Sequence, residues 1–359
     1  MPWLLPRPRW AFFLLFLLRE WWQRITFATM DKERFSAKKR WAGDAVPSMK
    51  RRRLGHDYQS RCIYMVTLAV KGRRPLLGEV TGNGEQEPAE MHPSALGEAV
   101  LEQLGNIPQH YPSIKVLCHQ LMPDHLHVIL FVQQRLPCHL SRVISGYKGG
   151  CNVIYRQLTG AEKQESLWEP GFNDRILEGK GHLQRMIDYI DDNPRRLAVK
   201  RHHKDYFRVQ QQVQVAGMTF AALGNVFLLE TPVLLQVQCS RKLSAEEIQE
   251  RCRHFLSEAE NGAVLVSPSI SPGEKAVMKT VQDKGYPTIL LQENGFAPLA
   301  KPGGRYFDAC AEGRLLLLAP WEHHNADTDI TRHQCLALND MAAAIEAESQ
   351  KTRTRCPGT

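Results

Sequence analysis

The sequence predicts an α+β fold in which an antiparallel sheet covered by helices is followed by a separate α/β block on a parallel sheet. Three observations carry this. Ile114 to Met122 and His127-Val128-Ile129-Leu130-Phe131-Val132 are strand-like runs broken only at Met122-Pro123-Asp124, the pattern of an antiparallel hairpin. Between Gly262 and Leu318, short apolar runs alternate with helix-like segments, the pattern of a parallel sheet with crossover helices. The 359 residues are enough for two hydrophobic cores.

Residues 1–60 read as a basic N-terminal extension. The apolar run from Trp10 to Leu18 follows Arg7 and Arg9. It is far shorter than the roughly 20 residues that span a bilayer. Arg19-Glu20-Trp21-Trp22 follows it in place of a small-residue cleavage site. The expectation is an upstream extension with the true start at Met30 or Met49; the alternative is a weak membrane-surface helix. Lys50-Arg51-Arg52-Arg53 closes a Lys- and Arg-rich stretch that reads as a solvated tail or as a clamp for phosphates.

The first ordered block is expected over 61–206. Cys62 to Val70 is a buried strand, and a loop with Gly82-Asn83-Gly84 precedes a helix from Ser94 to Leu104. The hairpin comes next. Leu140 to Leu158 reads as a helix loosened by Gly149-Gly150, and His182 to Asp192 as another. The second block is expected over 215–350, after the Gln-rich stretch 210–214. Its strands are Gly262–Val266, Thr288–Leu291 and Arg314–Leu318, with helices at about 274–283 and 306–311. No period of 20–50 residues recurs, which excludes a repeat architecture.

The net charge of +8 favours an anionic partner, nucleic acid foremost, although charge alone leaves ribosomal, membrane and heparin readings open. Nine cysteines are scattered without a CxxC, so the chain is not a disulfide scaffold and a reducing, cytoplasmic location is expected.

The sharpest local signal is Pro123-Asp124-His125-Leu126-His127. Alternate residues of a strand share a face, so both imidazoles can reach one divalent metal while Leu126 points into the core. Taken alone, an HxH pair is more often polar sheet surface. Cys118 and His119 point to opposite faces of their strand and cannot both join the pair in a zinc site. Further on, Tyr189-Ile190-Asp191-Asp192-Asn193-Pro194 ends an amphipathic helix. Tyr189 and Asn193 are four apart and lie one turn above each other, with Asn193 a C-terminal helix residue because Pro194 disfavours helical geometry before it. A half-buried aromatic and a plain cap are the ordinary fates of these two side chains.

In combination these pieces resemble the HUH endonuclease superfamily, specifically single-tyrosine transposases and their REP-associated relatives. The matching stretches are the strand at 62–70, Met122 to Val128, the helix carrying Tyr147-Lys148, Leu167-Trp168-Glu169-Pro170-Gly171-Phe172 and Tyr189 to Pro194, in the family's order. The resemblance implies a ferredoxin-like catalytic domain. It also implies His125, His127 and Asn193 as ligands of Mg²⁺ or Mn²⁺, and Tyr189 as nucleophile. Many insertion-sequence members carry Gln at the third-ligand position, whereas the REP-associated branch carries Asn. Asp191 and Asp192 remain possible substitutes. Lys148 is implied as a phosphate contact, with an exposed salt bridge as its ordinary alternative, and Arg51, Arg52 and Arg53 are further DNA-contact candidates. The implied partners are hairpin-forming single-stranded DNA at the nucleoid and a second copy of the chain. The alternatives are a retired transposase acting as a DNA-binding or nucleotide-sensing module and, more remotely, a rolling-circle replication initiator.

The second block more loosely resembles the Rossmann-like domain of the DNA-processing protein family. Ser267-Pro268-Ser269-Ile270-Ser271-Pro272-Gly273 lies between strand and helix, where such folds place phosphate at a helix N-terminus. Ser267, Ser269 and Gly273 are therefore nucleotide-binding candidates, although the segment is not GxGxxG. An ordinary capped loop fits it equally well.

Overall fold

The structure is a computed structural model, and it describes residues 48–50, 52–297, 300–324 and 329–355. The apolar run at 10–18 and Arg51 lie outside them. Among the described residues, no helix is long and apolar enough to cross a membrane.

The chain is a mixed α and β structure. Its first half contains β1 (Cys62–Ala69), β2 (Gly78–Thr81), β3 (Glu90–Pro93), α1 (Ala95–Leu104), α2 (Asn106–His110), β4 (Ile114–Met122), β5 (His125–Val132), α3 (Leu140–Thr159), β6 (Asn173–Ile176), α4 (His182–Asp191) and α5 (Asn193–His202). Four of these strands form one sheet in the order β4-β5-β1-β6, antiparallel at every step. β2 and β3 form a separate hairpin.

Strand alternation divides the residues of this sheet between two layers. Leu126, Val128, Leu130 and Val132 of β5 pack with Val100 and Leu104 of α1 and Val143, Ile144 and Tyr147 of α3. On the other face, Ile129 and Met65 pack with Ile190, Ile187 and Met186 of α4. The Gly149-Gly150 pair does not loosen α3, which is continuous. A Cβ on Gly150 would lie 2.7 Å from Gln103 Oε1, the tip of a flexible side chain on α1.

Residues upstream of 61 also pack on this sheet. The Phe172 amide donates to Met49 O at 2.7 Å, and Tyr58 is buried with its hydroxyl donating to Asp174.

The second half contains β7 (Gln210–Val215), β8 (Met218–Gly224), β9 (Leu234–Gln236), α6 (Ala245–Glu260), β10 (Val264–Ser267), α7 (Pro272–Asp283), β11 (Thr288–Leu291), α8 (Arg305–Ala311), β12 (Leu315–Ala319) and α9 (Arg332–Arg355). The sheet order is β7-β8-β12-β11-β10-β9. β9 to β12 are mutually parallel, β8 is antiparallel to β12, and β7 pairs antiparallel with β8. Apolar residues line both faces: Leu265, Leu290 and Leu317 pack with Phe255, Val277 and Phe307, and Val266, Ile289 and Leu316 with Leu338 and Ile345.

The Gln-rich stretch, expected to separate two blocks, is instead strand β7 of this sheet. The two halves meet through α5. Arg195 Nη2 lies 2.8 Å from Asp308 Oδ1, and the Arg196 guanidinium stacks 3.8 Å from the Phe307 ring centroid.

Candidate metal and nucleophile centre

The hairpin turn consists of Pro123 and Asp124 alone, since Met122 pairs with His125. Strand geometry then directs His125 and His127 to the face covered by α4, while Leu126 is fully buried in the opposite core. Both rings are held from behind. Asp124 Oδ1 accepts from His125 Nδ1 at 2.6 Å. Thr67, placed opposite His127 by the β1–β5 register, puts its hydroxyl 2.8 Å from His127 Nδ1. The carboxylate fixes the proton on Nδ1 of His125, which leaves its Nε2 lone pair facing outward. The two Nε2 atoms come within 3.2 Å of each other.

The electrostatics keep His127 unprotonated. Burial, with the positive charges of His125, Lys301 and Arg73 acting in the same direction, pushes the His127 imidazolium down to about 3. His127 is therefore neutral at pH 7. Burial opposes ionisation of Asp124, but the His125 hydrogen bond and the charges of His125 and Arg73 outweigh it and hold this carboxyl below its ordinary range. Arg73 Nη1 lies 3.4 Å from Asp124 Oδ2.

Tyr189 stands on α4 with its ring centroid 6.2 Å from that of His127. The Arg196 guanidinium carbon is 5.8 Å from the Tyr189 ring centroid. Asn193 does not end a helix, as the sequence led us to expect. Asp192 joins two helices, Asn193 is the first residue of α5, and Pro194 is the second. Proline is at home there because the first-turn amides lack an intrahelical partner in any case. Asn193 is buried, and its Nδ2 has no hydrogen-bond partner. The two ends of a carboxamide exchange by a flip, so one polar end of this side chain is available to a ligand. Asp192 is bound to Arg195 through both oxygens, and Asp191 Oδ1 is 3.8 Å from Cys118 Sγ. Asp192 is thus engaged at both oxygens, whereas Asp191 is exposed.

These residues fit a divalent ion. The two Nε2 atoms lie 3.2 Å apart, and the buried amide of Asn193 is unpartnered. The site is also ringed by cations. Burial, together with Arg196, Lys200 and Arg73, lowers the pKa of the Lys301 ammonium, which keeps exposed surface on the loop before α8.

Other sequence candidates are placed differently. Lys148 directs its ammonium to Glu169 O at 2.6 Å and Gly171 O at 2.8 Å, so it organises the 169–171 turn instead of standing in an exposed salt bridge. Arg52 pairs with buried Asp174 at 3.1 Å and stacks on Phe172, and Arg53 pairs with Glu178 at 2.9 Å. Arg52 is thus a strut into the interior and Arg53 a surface ion pair, rather than parts of a solvated tail. In the second sheet, the Ser267 hydroxyl donates to Val237 O, and a Cβ on Gly273 would lie 2.8 Å from Cys239 Cβ. Glu274 supplies the carboxylate at this helix N-terminus, accepting from the amides of Ile270, Ser271 and Cys239. Of the three nucleotide candidates, Ser269 alone lines the neighbouring cleft of about 360 Å³, together with Lys275, Lys279 and Arg305.

Sequence reasoning missed Thr67, Arg73, Arg196 and Lys301, and assigned no role to Asp124. The signal for Asp124 was its place immediately before the histidine pair.

No family model matches the chain. A protein of Haemophilus influenzae, described as uncharacterized, is 24% identical over 160 residues, which make up 40% of this chain and 86% of that protein. Among solved structures, a REP-associated tyrosine transposase bound to a REP hairpin aligns with 40% of this chain and 72% of its own, at 14% identity and a TM-score of 0.30. DNA processing protein A from Helicobacter pylori, described for its single-stranded DNA binding mode, aligns with 38% of this chain and 65% of its own, at 20% identity and a TM-score of 0.30. Both structural likenesses are loose.

Proposed function

We propose that the chain cuts and rejoins single-stranded, hairpin-forming DNA, with Tyr189 as nucleophile and a divalent ion held by His125, His127 and Asn193. The observation that carries this is the convergence of the two Nε2 atoms, backed by Asp124 and Thr67, beside the Tyr189 ring. The strand order β4-β5-β1-β6 supports a ferredoxin-like reading of the first half, and the parallel run β9 to β12 a Rossmann-like reading of the second.

Bound there, Mg²⁺ or Mn²⁺ supplies Lewis-acid stabilisation of charge on the phosphate. The protein's own residues do the rest. The Tyr189 oxygen attacks phosphorus, its phenolic proton leaves to solvent or a base, and the bond from phosphorus to the 3′ oxygen breaks. A 5′-phosphotyrosine and a free 3′-hydroxyl result. The phosphoester energy is retained, so rejoining requires no ATP. Arg196, Lys301 and Arg73 offset the negative charge that gathers on the equatorial oxygens. Association as a homodimer is part of this reading.

The deciding experiment is incubation of the full chain with labelled hairpin DNA and Mn²⁺, followed by denaturing electrophoresis. Wild type is expected to give a covalent adduct that Tyr189→Phe does not. Absence of the adduct from wild type, or its persistence in Tyr189→Phe, overturns the mechanism.

A further inference from the structure

We infer that Glu85, His202 and His203 form a second divalent-metal site, suited to Zn²⁺, at the opposite end of α5 from Asn193. One ligand atom from each of the three lies within 4.8 Å of the other two. His203 Nε2 is 2.8 Å from Glu85 Oε1.

The backbone explains the convergence. Successive residues of a helix diverge by about 100°, so adjacent histidines within one could not share a ligand. His202 is the last residue of α5, whereas His203 leaves the helix at φ −107° and ψ 53°. That turn brings the two rings edge to face, with centroids 4.8 Å apart. Tyr206 lies parallel to the His203 ring at 6.0 Å. Glu85 comes from the β2–β3 loop, which is folded upon itself: Asn83 Oδ1 accepts from the amides of Glu85, Gln86 and Glu87. Gly84, at φ +78°, seats this loop on α5, since a Cβ there would lie 3.0 Å from Arg195 O and 3.1 Å from Val199 Cγ2. The carboxylate is therefore delivered from a pre-formed loop to a fixed imidazole.

A simple ion pair needs only Glu85 and His203. The approach of His202 to within 4.8 Å of both is what a metal requires and an ion pair does not. Two imidazoles and one carboxylate are a zinc donor set that leaves a fourth position for water. Zinc bonds of about 2.0–2.1 Å put tetrahedral donors about 3.3 Å apart, so the 2.8 Å pair opens slightly and His202 closes in from within 4.8 Å, small adjustments for side chains that keep solvent exposure. A metal here would staple the β2–β3 loop to the C-terminal end of α5, the helix whose first residue is Asn193.

The test uses the full chain carrying His125→Ala and His127→Ala, so that the first centre is disabled whatever its role. Zn²⁺ is titrated against a chromophoric chelator. The background variant is expected to bind one Zn²⁺ per chain and to gain thermal stability on its addition. Adding Glu85→Gln, His202→Asn and His203→Asn should weaken that binding at least tenfold and remove the gain. Glu85→Gln alone, an exposed change that leaves the fold intact, should weaken it measurably. If the background variant binds no Zn²⁺, or if it binds equally well after the three further changes or after Glu85→Gln alone, the site is refuted. None of these outcomes bears on adduct formation by Tyr189.

Discussion

The Thr67 hydroxyl lies 2.8 Å from His127 Nδ1, although 60 residues separate the two in the chain. The β1–β5 register makes them direct cross-strand neighbours, so the orientation of a candidate metal ligand is set by sheet pairing. Thr67→Val keeps the branched shape and removes the oxygen. Loss of such a supporting hydrogen bond typically costs about 10–100-fold in metal affinity or activity. We expect the half-maximal Mn²⁺ concentration for cleavage to rise by about that factor with little change in melting temperature. An unchanged Mn²⁺ requirement would show that Thr67 does not position the ring.

His127 predicts a pH dependence of stability. Its folded-state pKa of about 3 lies below the ordinary value of 6.5, so the unfolded chain takes up a proton that the folded chain refuses. Stability from this residue is complete above pH 6.5 and falls as the pH drops towards 3. The slope approaches about 1.4 kcal/mol per pH unit within that window. Urea unfolding in EDTA at pH 7, 6 and 5 measures it. The slope of wild type minus that of His127→Gln should carry this difference, and parallel curves would contradict the assigned environment.

The histidine pair was legible because strand alternation is intrinsic to the backbone and needs no knowledge of neighbours. Thr67 was not, because register between distant strands is decided by packing on both faces. Asn193 was seated in the wrong helix. Pro194 reads locally as a stop signal, but a proline after an αR junction serves equally well as a start, and only the α5 contacts with Phe307 and Asp308 reveal that the chain turns there. Arg52 and Arg53 looked like a solvated tail because their partners Asp174 and Glu178 lie more than a hundred residues away in sequence. Strand β7 escaped notice because its only apolar alternation, Val213 and Val215, is too short to stand out beside the glutamines.

Lys301 tests whether the second half serves the centre on the first. Its ammonium acts on His127 from the loop that Arg196 anchors by donating to Pro302 O at 3.3 Å. Lys301→Met removes the charge from an exposed side chain, so folding should be unaffected. Cleavage should fall about tenfold or more, in line with the loss of one transition-state electrostatic contact. Lys301→Arg should restore most of it. Equal single-turnover rates for wild type and Lys301→Met would place this residue outside the reaction.

Glu274 bears on the second sheet. Its buried carboxylate accepts the amides of Ile270, Ser271 and Cys239, and with Ser271 it completes a capping box on α7. Glu274→Ala would leave these donors without their acceptor, at a cost of about 1–3 kcal/mol or more. Chemical denaturation should show that loss. The same change vacates the anion position at the helix N-terminus. Phosphate added at millimolar concentration should therefore recover part of the lost stability in Glu274→Ala while leaving wild type unmoved. Equal stabilisation of both proteins by phosphate would mean that the anion binds elsewhere, with the cleft lined by Lys275, Lys279 and Arg305 the place to examine.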